Sequence, residues 1–199
     1  MLERFNHELK AYRLITGQSQ SQLARALDLD HSHVSRAESG QRFITAERAE
    51  WFANYLVIPY EERAQFYLLA AGHAPDIVSN ILNPAFLQLS MNNSMNNSYT
   101  PNEILAIHLS KQGWSQAELA RVTSDVRNKK THPSSIAKIV SGVNKIGSTF
   151  AEELAIAVDI PMGYRAEFFL LSRGHDFTEI YESLTAIGGT VKPLDPALP

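Results

Sequence analysis

Gln18-Ser-Gln-Ser-Gln-Leu-Ala-Arg-Ala-Leu-Asp-Leu-Asp-His-Ser-His-Val-Ser-Arg-Ala-Glu-Ser-Gly40 is the stretch that decides the fold. Its apolar residues follow a helical spacing that breaks once. Ser19 stands three residues before Gln22, the spacing of a capping box, so a helix starts there. That helix ends near Leu27. Asp28 falls where the chain must turn, and Asp tolerates the left-handed backbone better than most residues. Asp30 then caps a second short helix, His31 to Ser39, which stops at Gly40. Leu23, Leu27, Leu29 and Val34 are spaced to bury the inner faces, and Ala24 is small where the two helices cross. The outer face of the second helix is polar.

Outward from this unit the pattern stays helical. A first helix covers Glu3 to Thr16. Thr45 caps a fourth helix that runs to about Leu56, Pro59 opens a fifth and Gly72 closes it. A sixth lies near Pro75 to Leu82. Strand-like alternation is absent, so the fold class is all-α.

The chain also repeats itself. Gly17-x-Ser19-Gln20-x-x-Leu23-Ala24-Arg25 recurs 96 residues later as Gly113-x-Ser115-Gln116-x-x-Leu119-Ala120-Arg121. Farther on the offset is 102, from Ser39-Gly40 with Ser141-Gly142 to Gly72-His73 with Gly174-His175. The change of offset places a six-residue insertion between Arg121 and Ser141. The expected organisation is a first domain at 1–88, a polar linker at 89–101, a second domain at 102–187 and a flexible tail at 188–199. The linker is rich in Asn and Ser. Its coil span of roughly 20 Å is shorter than a DNA turn of roughly 34 Å, and stretching would let it reach.

Composition narrows the function. With 18 Lys and Arg against 21 Asp and Glu, the formal charge is −3, which excludes binding of polyanions by bulk charge but not by a local basic face. The absence of cysteine excludes a disulfide framework, a thiolate metal site and a Cys nucleophile. The uncharged stretch Ile77 to Thr100 is too polar for a membrane span. No signal-peptide core is visible, and the expected location is cytoplasmic, with the nucleoid. There is no Gly-rich phosphate loop, no Ser/His/Asp elbow and no framed carboxylate pair, so no enzyme and no cofactor are expected. His31 and His33 do not share a helix face, and no metal site is expected.

Two helices joined by a short turn, the second polar-faced, form a helix-turn-helix unit. Gln18 to Gly40 resembles the phage-repressor/Cro type of this unit, shared by bacterial regulators of the xenobiotic-response-element class. The resemblance covers about residues 5–72 well and 103–174 more loosely. It implies a transcriptional regulator of double-stranded DNA, more often a repressor, that occludes a promoter. It also implies a phosphate contact at Gln20, base reading by the start and middle of the second helix, and a backbone contact at Arg42. His31, Ser32, Ser35 and Arg36 are the base-reading candidates, with side chains of the lengths that reach base edges in the major groove. The resemblance further implies a buried ion pair between Arg13 and Glu38. In the second copy those positions hold Leu109 and Val140, so both charges are gone together. Removing one partner alone would strand a buried charge at a cost of roughly 3–5 kcal/mol.

In the second copy the base-facing candidates are Ser134, Ser135 and Lys138. Pro133 stands where His31 stood and cannot donate to a base. The insertion, read as a lengthened turn from Arg121 to His132, carries Arg127, Lys129 and Lys130. From Lys111 to Lys145 seven basic residues face only Glu118 and Asp125, a net +5, whereas Gln18 to Thr45 is neutral. The expected division of labour is that the first copy reads sequence while Gln116, Arg127, Lys129, Lys130 and Lys145 grip the backbone. His73 and His175 follow helix-ending glycines and are expected to cap the carbonyls there. The aromatic residues Trp51, Phe52, Tyr55, Phe66, Tyr67, Phe168 and Phe169 are expected in the core or a dimer contact. Surplus apolar residues in the fifth and sixth helices and the C-terminal helix are expected to pack between the copies or across a homodimer. The competing reading is a protein-binding adaptor or antitoxin-like partner.

Overall fold

The computed structural model describes residues 3–42, 44–83 and 100–187. Among them the chain is all-helical. The helices are α1 (Glu3–Ile15), α2 (Gln20–Ala26), α3 (His31–Glu38), α4 (Ala46–Tyr55), α5 (Tyr60–Ala71), α6 (Pro75–Ile81), α7 (Pro101–Gln112), α8 (Gln116–Arg127), α9 (Pro133–Val140), α10 (Ser148–Ala157), α11 (Met162–Arg173) and α12 (Phe177–Ala186).

The caps explain where the helices start. Ser19 and Ser115 both form reciprocal capping boxes, with Gln22 and Glu118. Asp30 accepts from the Ser32 backbone N–H at 2.7 Å, and Thr45 from that of Arg48. Gly72 and Gly174 end α5 and α11 with φ of 92° and 88°, a conformation that favours glycine. Asp28 has a φ of 51°, and Asn128 takes the same role in the second turn with a φ of 49°. Leu23, Ala24, Val34 and Ala37 are buried where α2 meets α3. Leu119, Ala120, Ile136 and Ile139 are buried where α8 meets α9.

Two expectations change. The inserted residues lengthen a helix rather than a turn: α8 has 12 residues against 7 in α2. No Gly or Pro interrupts Arg121 to Arg127, Thr123 is fully buried, and the Ser124 hydroxyl accepts from the Thr131 backbone N–H at 2.8 Å. That contact ties the end of the longer helix to the following turn. At the other boundary, Thr100 caps α7 with Glu103 in a third capping box, so Pro101 opens a helix rather than closing a linker. The remainder of that linker, Phe86 and Leu87, and the tail at 188–199 lie outside the described residues.

A single apolar core runs through both halves. The halves meet where α11 and α12 pack on α5, and α11 on α6. The polar contacts across this seam are reciprocal. His73 bonds Glu152 through Nδ1 at 2.5 Å, and His175 bonds Glu50 through Nδ1 at 2.8 Å. The His73 ring stacks on Phe169 at 4.7 Å, and the His175 ring on Tyr67 at 4.5 Å. In each pair the partners exchange roles at the sequence offset of 102. The two histidines therefore do not cap their own helices with their side chains; burial against the opposite aromatic ring draws them across the seam. Phe52, Phe66, Tyr67, Phe168 and Phe169 are buried, whereas Trp51 and Tyr55 remain exposed.

Candidate nucleic-acid interface

In the first half the frame around α3 is electrostatic as well as apolar. Arg13 on α1 meets Glu38 at the end of α3 in a two-pronged pair, Nε to Oε1 at 2.5 Å and Nη2 to Oε2 at 2.9 Å. Both residues are buried. The Glu38 bond raises the Arg13 pKa against the effect of burial. Arg13 Nη1 also donates to the Gln18 carbonyl at 2.6 Å, and Gln20 Nε2 donates to Glu38 Oε2 at 2.8 Å. Four groups thus fix the entry to α2 against the exit of α3.

On this frame His31 and Arg36 stand exposed, and Ser35 is half-buried. Ser32 turns toward its own cap: Asp30 takes its backbone N–H and its hydroxyl, which hold the Asp30 carboxyl below its ordinary range. Gln20, expected at a phosphate, has its amide held by Glu38. Arg42 is half-buried beside the His33 ring and Arg48. Burial, then Arg42, Arg48 and Arg36, lower the His33 pKa, while Asp30 opposes them. Three guanidiniums therefore crowd the edge of α3. Arg48 was not among the sequence candidates, because it sits on α4 just beyond the stretch whose charges were balanced. Its signal was available: it lies in the first turn of a helix capped next to Arg42.

The second half presents a different surface. Ser134, Ser135 and Lys138 on α9 are exposed, as are Gln116, Lys129, Lys130 and Lys145. The nearby carboxylates are engaged elsewhere. Glu118 completes the Ser115 capping box, and Asp125 pairs with Arg121 at 3.6 Å. Among the described residues, Lys129, Lys130, Lys138 and Lys145 form no ion pair. Arg127 differs from the outward grip expected of it. Its Nε lies 2.7 Å from Glu153 Oε2, its guanidinium covers the Phe150 ring at 4.7 Å, and Nη1 donates to the Thr131 hydroxyl. The lengthening of α8 carries it inward against α10. Leu109 is buried and Val140 packs against the core where the first half has its ion pair.

Residues 4–66 match the family model of a helix-turn-helix domain, which spans α1 to the middle of α5. A domain of this kind is that of a DNA-binding regulator in general. No curated protein and no solved structure matches the chain. Among the described residues no helix is long and apolar enough to cross a membrane, and no group of three or more His, Cys, Asp or Glu is placed to hold a metal ion.

Proposed function

We propose that this chain is a sequence-specific regulator of transcription that binds double-stranded DNA, and that it represses by occluding a promoter. The observation that carries the reading is the exposed face of α3. His31, Ser35 and Arg36 project from a helix locked by the Arg13–Glu38–Gln20 network, with Arg42 and Arg48 alongside to meet phosphate. Preorganisation matters because base edges are read within hydrogen-bond tolerance.

We further propose that the second half is a second copy of the same domain, and that the chain is an internal dimer. The repeated motif, the helix-for-helix correspondence and the reciprocal His–Glu contacts support it. In this reading the second copy grips backbone through Lys129, Lys130, Lys138 and Lys145, whose charges face no carboxylate, rather than through Arg127. One chain then spans two unlike half-sites, and a homodimer spans four. The protein is not an enzyme in this account.

The alternative, a protein-binding adaptor, has one observation in its favour. Leu14, Ile15, Trp51, Val57 and Tyr60 are exposed in the first half, and their counterparts at the repeat offsets are Ser110, Lys111, Glu153, Asp159 and Met162. Titrating the full chain against its own upstream duplex and a random duplex, each at two salt concentrations, separates the readings. Preference for the upstream duplex with salt-dependent affinity supports the regulator. No binding to either duplex at low salt leaves the adaptor.

A further inference from the structure

The reciprocal seam is broken at one place. Arg63 at the start of α5 is anchored by its Nε to the Ile58 carbonyl at 3.0 Å, and its Nη1 reaches Glu179 Oε2 of α12 at 3.1 Å. The Tyr67 hydroxyl donates to the same oxygen at 3.1 Å. Arg165 occupies the corresponding position at the start of α11, and its Nε is anchored in the same way, to the Ile160 carbonyl at 2.9 Å. At the repeat offset of 102, however, Glu179 corresponds to Ile77 and Tyr67 to Phe169. The carboxylate and the hydroxyl that satisfy the first guanidinium are both absent from the second. Among the described residues Arg165 forms no ion pair, and burial lowers its pKa while Asp159 partly opposes that.

A cleft of about 90 Å³ is lined on one side by Arg165. Ile77 and Ile81 of α6 form one wall, and Ile156, Met162 and Phe169 form the other. Asn80 and Glu152 complete it, and the Glu152 carboxylate is engaged by His73. The surface is thus mostly apolar, with Arg165 as its unpaired cation and the Glu152 carboxylate turned to His73, a composition like that of a small-molecule site. Arg165 is half-buried and forms no ion pair among the described residues, and a charge-assisted bond to a carboxylate would satisfy it.

We propose that this cleft binds a small monocarboxylate with an apolar body, for which benzoate, only partly enclosed by an open cleft of this size, is the probe. Its carboxylate takes the place on Arg165 that Glu179 takes on Arg63, and its apolar body lies between α6 and α11. Because the walls come from different halves, occupancy sets how firmly the halves are held together. Binding itself does not depend on the DNA reading, and an effect of the ligand on DNA affinity rests on it.

The test is a calorimetric titration of the full chain with benzoate and, separately, with benzyl alcohol. Benzoate should bind saturably and benzyl alcohol about tenfold more weakly or worse. Arg165→Gln should weaken benzoate by a similar factor. Ile77→Glu supplies the internal carboxylate found in the other half and should abolish benzoate binding while leaving helix content intact, so the result does not depend on how the arginine variant folds. No saturable binding to the wild-type chain overturns the proposal. So does equal binding of the alcohol, or benzoate binding that survives Ile77→Glu. These results leave the DNA titrations untouched, so failure of the site and failure of the regulator reading are distinguishable.

Discussion

The two halves of this molecule solve one packing problem with different side chains. Where the first half buries Arg13 against Glu38, the second buries Leu109 and packs Val140 against the core. Both partners changed, so no charge is stranded. Where the first half satisfies Arg63 with Glu179 and Tyr67, the second keeps the arginine and has lost both of its partners. The first difference is what a fold alone demands. The second is not, and it leaves Arg165 at the seam without an ion pair among the described residues. The exposed faces differ as well: α3 presents hydrogen-bonding groups beside three arginines, and the second half presents four lysines that form no ion pair among the described residues.

The ion pair gives the largest expected effect. Glu38→Ala should destabilise the chain by roughly 3–5 kcal/mol, because it leaves Arg13 buried and unpaired. The double replacement Arg13→Leu with Glu38→Val, which installs the second half's solution, should recover most of that loss. Urea unfolding of the three variants measures it. A double variant no more stable than Glu38→Ala would mean that the two halves do not share a frame.

The seam gives the next. His73→Ala and His175→Ala each remove a buried ring that bonds a carboxylate of the opposite half. Each should cost about 1–3 kcal/mol. If the contacts are equivalent, the two losses should agree within about 0.5 kcal/mol, the margin within which independent mutational effects usually add. Widely unequal losses in thermal or urea unfolding would show that the reciprocity is geometric and not energetic.

The smallest effect is with pH. Burial is the main cause that lowers His33, in the first half, and His108, in the second. In the unfolded chain both take up protons near 6.5, and in the folded chain only at lower pH. Their contribution to stability is therefore complete above about 6.5 and is lost as pH falls from there toward the folded values. Melting temperatures between pH 8 and 5 should decline at the acid end, and His33→Gln with His108→Gln should flatten that decline.

What was legible in the sequence is what local chemistry controls. Ser19, Ser115, Asp30 and Thr45 cap helices because a side-chain oxygen and an N–H two or three residues on are neighbours in any context. The Arg13–Glu38 pair was legible through the family resemblance, and the repeat identified corresponding positions. The remainder depends on distant groups. Six extra residues read equally well as loop or helix until Thr123 is seen to be buried and Ser124 to hold Thr131. Arg127 reads as a free cation until α10 supplies Glu153 and Phe150. His73 and His175 read as local caps because their partners lie 79 and 125 residues away.

Whether the first half reads bases and the second grips phosphates is decided by fluorescence anisotropy on upstream and random duplexes across a salt series. The wild-type chain is compared with Arg36→Ala and with Lys129→Ala/Lys130→Ala. Arg36→Ala should lose roughly 1–3 kcal/mol on the upstream duplex and little on the random one. The lysine pair should weaken both duplexes alike and lower the slope of log K against log salt by roughly 1–2. An Arg36→Ala loss equal on both duplexes, with an unchanged slope for the lysine variant, would contradict the division.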